Sequence, residues 1–417
     1  MRLLWVKTDL LHPVNSGGRI RTYEMLREIR KHHDVDYVAL DDGSTPPEAL
    51  EKFGEYATTI DLVPQTRVDK QGLPFFVDLA KNLASADPYV LDRYRSPELA
   101  RRIERASGRG DIDVLVCDFL FPARDIPRSI ATPKVLFQHN VEARIWERHA
   151  QVGRTFLHRA YFGSQYRRMK AAERQLCQGF DWVVAVSEDD ANVFRNQYGI
   201  RNVSSIPTGV NTDVFTISDP VKRRDGSIVF LGSMDWMPNI DGVRWFVREV
   251  LPAVRQEIPH ATVNVVGRNP SPEITALAEL DGVTVSGTVP NVKPYLNEAS
   301  VFVVPLRVGG GTRLKIYEGM ATGIGTLSTT IGAEGLPLQP GKHIRVADDA
   351  TAMARATIEM LKDPTATNAM GLAAAEYVRS NFGWSGVALE FMRICELARE
   401  QARERCLGRA PVVQSVR

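Results

Sequence analysis

Short aliphatic runs, each ending in a glycine or a polar turn and followed by apolar residues at helical spacing, recur along this chain in two series. The first series opens with Leu3 to Val6 and a loop, His12-Pro13-Val14-Asn15-Ser16-Gly17-Gly18. Ile20, Tyr23, Met25, Leu26 and Ile29 then repeat at roughly helical spacing. Val35 to Leu40, Asp113 to Cys117, Lys134 to Phe137 and Trp182 to Val186 are four more strand candidates. Ser187 with Asp190 three residues on reads as a helix N-cap with an acidic first turn. The second series begins near Ser227, with runs at Ile228–Gly232, Val263–Gly267, Val283–Val285, Val301–Pro305 and Thr326–Thr329. Helical spacing falls at Val243–Val254 and Leu314–Ala321. Runs without alternation suit strands buried on both faces, and β-α repetition implies parallel sheets flanked by helices. Residues 62–96 contain prolines and little periodicity, and yield no assignment.

Two such series put the chain in the α/β class, as two doubly wound Rossmann-like domains. The expected bounds are 1–212, a linker at 213–226 rich in turn formers and charge, and 227–383. Residues 384–417 follow as a helix whose stripe is Val387, Leu389, Phe391, Met392, Ile394 and Leu397. In open α/β sheets ligands bind at the carboxyl ends of the strands, so two such domains are expected to face each other across a cleft.

Composition excludes several classes. Lys and Arg number 52 against 50 Asp and Glu, a net +2, so nucleic acid is not an expected partner. No apolar run approaches the roughly 18 residues of a spanning helix, and the N-terminus turns polar too soon for a signal peptide. Four scattered cysteines, with no CxxC pair, read as reduced thiols of a cytoplasmic protein without a zinc site or disulfide frame.

The chemistry concentrates after Pro305. A strand ends, Gly309-Gly310-Gly311 lets the backbone turn tightly, and a helix is expected from near Thr312. Its first N–H groups, with Arg313 and Lys315 beside them, suit a diphosphate. Glu318, about a turn and a half further on, can accept two hydrogen bonds from a vicinal diol such as that of ribose. The plain alternative is a glycine turn followed by a solvated basic helix face.

These residues resemble the nucleotide-sugar-binding domain of the family-4 glycosyltransferases of the GT-B fold, in the group with a GGGTRLK-type donor loop. The resemblance rests on Phe230-Leu231-Gly232-Ser233-Met234-Asp235-Trp236-Met237-Pro238-Asn239, Val265-Val266-Gly267, Gly287-Thr288-Val289, Val304-Pro305-Leu306 and the block from Gly310 to Gly335. A looser match in the first half runs through Ser16-Gly17-Gly18, Gln138-His139-Asn140-Val141-Glu142, Val186-Ser187 and Ile206-Pro207-Thr208-Gly209-Val210. It implies transfer of a hexose from a UDP- or GDP-sugar to a hydroxyl acceptor with retention, in polysaccharide or glycolipid assembly. It also implies no cofactor and no metal, in accord with the absence of a placed DxD motif. Asp111-Ile112-Asp113 has the spelling but reads as a strand-entry turn.

Carried onto this sequence, the family's donor contacts are Gly232, Gly310, Gly311, Thr312, Arg313, Lys315 and Glu318, with Arg313 and Lys315 stabilising the leaving diphosphate. Two departures stand out. Gly310 occupies the place of the first of two glutamates, and Ser233, Met234 and Asn239 span a stretch where two cations are usual. Arg313 and Lys315 are therefore expected to replace those cations. Gly325 stands in for a common proline, and a looser turn is expected there. In the first half, His139 resembles the family's histidine that meets the transferred sugar or the acceptor; a satisfied structural histidine is the alternative. Gly17, Gly18 and Arg19 are expected to form an acceptor or phosphate loop.

From Arg144 to Arg174, eight Arg and Lys with interleaved aromatics suit either an anionic membrane surface or a solvated face over the core. The expected partners are thus a nucleotide sugar, a saccharide or lipid-linked saccharide acceptor, and the inner face of a membrane. A catalytically inactive nucleotide-sugar-binding subunit, and another GT-B enzyme such as an epimerase, remain open alternatives.

Overall fold

Thirteen strands form two wholly parallel sheets in the computed structural model, which describes residues 1–14, 16–65, 72–151, 155–234, 236–308 and 314–406. The chain divides into two units, Met1–Pro207 with Ser385–Arg417, and Thr208–Trp384. In the first, β1 (Arg2–Lys7), β2 (Asp34–Asp41), β3 (Thr59–Pro64), β4 (Val114–Asp118), β5 (Lys134–Phe137), β6 (Trp182–Ala185) and β7 (Val203–Ser205) lie in the order β3-β2-β1-β4-β5-β6-β7. The order reverses between β1 and β4. Their register sets Val6 beside Cys117, which carries Lys7 to the level of Asp118 at the two carboxyl ends. β4 and β5 are buried throughout, and β1 from Leu3 onward, because helices cover both faces.

The second unit repeats the plan with β8 (Ser227–Leu231), β9 (Thr262–Val266), β10 (Val283–Gly287), β11 (Val301–Val304), β12 (Gly325–Ser328) and β13 (Arg345–Val346), in the order β10-β9-β8-β11-β12-β13. Here the reversal lies between β8 and β11. The helical stretch expected at Val243–Val254 is a continuous run from Met237 to Glu257 that includes a wide π turn at Phe246–Val250.

The final helix, Trp384–Cys406, belongs from Ser385 onward to the first unit. Phe391 packs on Trp5 and Phe137 at ring separations of 5.5 and 5.3 Å, and Arg399 pairs with Asp113 at 2.9 Å. Residues 213–226 are bound into the second unit: the Ser218 and Arg224 amides donate to Thr322 and Glu298, and Arg223 Nη2 donates to the Gly323 carbonyl at 2.7 Å. The looser turn expected at Gly325 is not found. Gly325 is buried at the start of β12, and a methyl group there would run into Thr367 and meet Met360 Cε at 3.2 Å. Close helix-on-strand packing, not turn freedom, selects glycine. Cys117, Cys177 and Cys395 are buried free thiols.

Candidate active site

The reversal point of the first sheet holds a buried polar cluster. Asp118, fully buried at the end of β4, lies 3.0 Å from the Lys7 ammonium at the end of β1. The Thr22 hydroxyl and the Trp5 indole N–H donate to Asp118 Oδ2 at 2.7 and 3.0 Å. Lys7 Nζ donates in turn to Thr22 Oγ1 at 3.3 Å. His139, two residues beyond β5 and only 4% exposed, brings Nε2 to 2.8 Å from Asp118 Oδ1. The two atoms are within reach of each other, but their geometry does not meet that of a hydrogen bond.

Burial opposes ionisation of Asp118, but Lys7, then His139 and Thr22, hold its carboxyl below the ordinary range. Burial drives His139 the other way, well below its ordinary value, aided by Lys7 and Arg21 and resisted by Asp118. The imidazole is therefore neutral at physiological pH. Phe119 follows Asp118 with a φ of 73°, a left-handed conformation that costs a bulky residue about 1–3 kcal/mol. It stacks on His139 at 3.9 Å and lies under the Lys7 ammonium at 4.6 Å. Gly18 lies over the same rings: a methyl group there would sit 3.2 Å from Phe119 and 3.8 Å from His139 Nδ1. Gly17, Gly18 and Arg19 are not the loop expected but the first turn of the helix Gly17–Ile29, and Arg19 braces the preceding loop by pairing with Asp9 at 2.7 Å and donating to the Pro13 carbonyl.

A second buried cluster flanks His139. The Glu173 carboxylate accepts from the amides of Glu142 (2.8 Å) and Ala143 (3.1 Å), from Gln138 Nε2 and from the Tyr198 hydroxyl (2.8 Å). It caps the helix Glu142–Gln151 from outside. Burial pushes Glu173 up to about 7; burial, and then the neighbouring Glu173, push Glu142 up to about 8.

At the reversal point of the second sheet, Lys315, on the helix Leu314–Ala321, donates to the Leu231 carbonyl at 2.8 Å and to Asn239 Oδ1 at 2.7 Å. Its ammonium lies 4.4 Å over the Phe230 ring. Gly232 leaves the room for this: a Cβ there would fall 2.9 Å from Lys315 Nζ and 2.7 Å from Asn239 Nδ2. Asn239 Nδ2 also donates to the Ser233 carbonyl, and Arg268 Nε donates to Ser233 Oγ at 2.8 Å. Glu318 is half-buried on the same helix as Lys315. Gly310, Gly311, Thr312 and Arg313 lie outside the described residues.

The structure thus brings His139 and Gly18 together in the first unit, and Gly232 and Lys315 in the second. Lys7, Asp118 and Thr22, and in the second unit Arg268, escape sequence reasoning. The signal for the first pair is a charge closing each of two buried runs, Leu3-Leu4-Trp5-Val6-Lys7 and Val114-Leu115-Val116-Cys117-Asp118. Among the described residues, no three His, Cys, Asp or Glu side chains converge into a cation-binding group.

The basic stretch 144–174 spans the helices Glu142–Gln151 and Phe156–Cys177. Trp146 and Tyr166 pack against the core, so its aromatics do not all face outward. Phe156 and Leu157 do, at 77% and 78% exposure, close to exposed Arg159, while the exposed Arg167, Lys170 and Arg174 lie further along the same helix. Arg168 donates to the carbonyls of Asn82 and Leu83, at the end of the helix Gly72–Leu83, whose first two turns expose Leu73, Phe76 and Val77. No helix among the described residues is long and apolar enough to cross a membrane.

Residues 15–214 match the family model described as Glycosyltransferase Family 4, and residues 225–363 match that described as Glycosyl transferases group 1. An uncharacterized 44.6 kDa protein in the cps region of Klebsiella pneumoniae is 21% identical over 398 residues, covering 91% of this chain and 96% of its own length. The GDP-mannose-dependent alpha-(1-6)-phosphatidylinositol monomannoside mannosyltransferase of Mycobacterium tuberculosis (strain ATCC 25618 / H37Rv) is 27% identical over 252 residues. That match covers 54% of this chain and 65% of the enzyme, just under two thirds of it. Among solved structures, sucrose-phosphate synthase from Thermosynechococcus elongatus superposes with a TM-score of 0.68 at 16% identity, over 94% of this chain and 98% of that one, a likeness of fold.

Proposed function

We propose, from the premise that this chain belongs to the family-4-like glycosyltransferases of the GT-B fold, that it moves a hexose from a UDP- or GDP-sugar to a hydroxyl acceptor with retention. The observation that carries the donor side is Lys315, an ammonium anchored by two oxygens beside the Gly232 backbone, with Arg268 held nearby by Ser233. Departure of the nucleoside diphosphate leaves negative charge on two phosphates, and fixed cations stabilise that charge as it develops. Arg313 adds a third cation next to Lys315 in the sequence, and Glu318 receives the ribose hydroxyls. With cations in this role, no metal is required.

His139, neutral through burial, offers a hydrogen bond to the transferred sugar or the acceptor, and the stacked Phe119 holds its ring. Gly17 and Gly18, which open the helix Gly17–Ile29, let its start approach a ligand closely, and Arg19 in its first turn holds the preceding loop through Asp9. The acceptor is a saccharide or lipid-linked saccharide. One relative is described from a cps region and another is named for a phosphatidylinositol mannoside, which supports polysaccharide or glycolipid assembly. Exposed Phe156 and Leu157 among cations suit docking of the 144–174 stretch on the cytoplasmic face of an anionic membrane.

Gly310, in the place of the family's first glutamate, favours a second reading: a nucleotide-sugar-binding subunit without turnover. Assaying labelled UDP- and GDP-sugars for transfer or donor hydrolysis decides between them. The transferase reading expects turnover, with kcat/KM about 10² to 10³ lower in Lys315→Ala. Tight donor binding with no turnover assigns the binding subunit, and release of an epimerised nucleotide sugar assigns an epimerase.

A further inference from the structure

The first unit contains a cavity of about 510 Å³ that the proposed transfer reaction does not use. Its size falls within the range of small-molecule sites, roughly 300–1,000 Å³. It opens between the start of the helix Pro97–Ser107, the segment 123–128 and the end of the helix Phe156–Cys177. Lys134, the first residue of β5 and 9% exposed, forms part of its wall. His139 lies past the other end of that strand, so about 13 Å of extended backbone separates the two places.

The charge lining the cavity is one-sided. Arg95, Arg124, Arg128 and Lys134 face a single carboxyl, Asp125. Asp125 is itself engaged: its Oδ2 accepts from the Ser96 amide at 2.9 Å. Arg124 is occupied by Asp87 at 2.5 Å, and Lys134 Nζ donates to the carbonyls of Arg128 (3.4 Å) and Ile130 (3.2 Å). Arg95 and Arg128 are different. Both are exposed, and among the described residues neither guanidinium makes an ion pair or side-chain hydrogen bond, although Arg95 lies near enough to Asp125 to favour its ionised form. Ala100, Ala123 and Ala172 keep the interior open between these cations. A concave, low-dielectric wall carrying one sign of charge concentrates counter-ions, and planar guanidinium groups match phosphate oxygens in pairs.

We infer that this cavity is a second, anion-binding site of the chain, which takes a phosphate monoester or diester between Arg95 and Arg128 with Lys134 behind them. Its guest is either a soluble phosphoester of about the size of a sugar phosphate, or the headgroup of an anionic phospholipid. Both present the same group to the same cations.

Calorimetric titration of the full chain with glycerol 3-phosphate, at constant ionic strength, tests this. Wild-type protein and Lys315→Ala should bind alike, since the donor phosphates sit elsewhere. The double variant Arg95→Ala/Arg128→Ala should bind at least tenfold more weakly, while its response to UDP or GDP stays at the wild-type level and shows that it is folded. Equal binding by wild type and double variant, or loss of binding in Lys315→Ala, overturns the site. Competition then identifies the source. Displacement of glycerol 3-phosphate by phosphatidylglycerol vesicles, but not by phosphatidylcholine vesicles, assigns a headgroup; no displacement by either assigns the soluble phosphoester.

Discussion

Asp118→Asn removes one charge from a cluster whose members have no access to water. Asp118 is fully buried and Lys7 is 2% exposed, so the ammonium left behind faces neutral groups alone: the new amide oxygen, the Thr22 hydroxyl at 3.3 Å and the Phe119 ring. Breaking one side of a buried pair costs about 3–5 kcal/mol, much of it the stranded charge. Against the roughly 5–15 kcal/mol that holds a domain folded, that is a large fraction. Lys7→Met strands the carboxylate instead, although Trp5 and Thr22 still donate to it, so its cost should be the smaller of the two. The double variant strands nothing. Its cost should fall short of the sum of the singles by about 1–3 kcal/mol, the coupling of contacting groups. Urea unfolding of the four proteins measures the cycle, with hydrogen exchange on β1 and β4 assigning the transition to the first unit. Additive costs, or singles each below about 1 kcal/mol, refute the claim that these charges depend on each other.

The pair Glu142 and Glu173 predicts a pH dependence. Both carboxyls bind protons more tightly folded than unfolded, so their stabilising effect is complete below the ordinary carboxylate range. It is lost as the pH rises through their folded values of about 7 and 8. Stability of the first unit should therefore fall between pH 5 and 8, and Glu142→Gln should flatten that slope by up to ~1.4 kcal/mol per pH unit, read from urea midpoints across the range. Gly325→Ala should cost about 1–3 kcal/mol in thermal or urea unfolding, because its methyl group meets Thr367 and Met360; an unchanged midpoint contradicts the packing account. Phe156→Ser/Leu157→Ser should weaken flotation with phosphatidylglycerol vesicles severalfold and leave phosphatidylcholine controls unchanged; equal recovery rejects docking through that face.

Much of the fold is legible because central parallel strands are continuous apolar runs. Lys134–Phe137 is read to its ends for that reason. Three of the four edge strands, β3, β7 and β13, are not. Thr59–Pro64 is mostly half-exposed, and Val203–Ser205 and Arg345–Val346 are too short to leave a run. The candidate site can be picked out in the sequence where chemistry and backbone need coincide, as at Gly232, Lys315 and His139, each of which the fold sets beside polar neighbours. It is hidden where a partner is supplied by the sheet order. Nothing near Lys7 in sequence announces Asp118; only the adjacency of β1 and β4 joins them. Arg268 has no reading in the sequence; the fold shows Ser233, itself a departure from the family pattern, holding it.

Titrating wild type and Lys315→Ala with UDP and GDP, by calorimetry at one salt concentration, reaches the donor assignment most directly. Wild type should bind one of the two and gain about 2.7 kcal/mol of stability at a hundredfold excess over Kd. Lys315→Ala should bind that nucleotide at least tenfold more weakly while remaining folded. Equal affinity in the two proteins, or no affinity for either nucleotide in the wild type, would contradict the placement of the diphosphate beside Gly232 and Lys315.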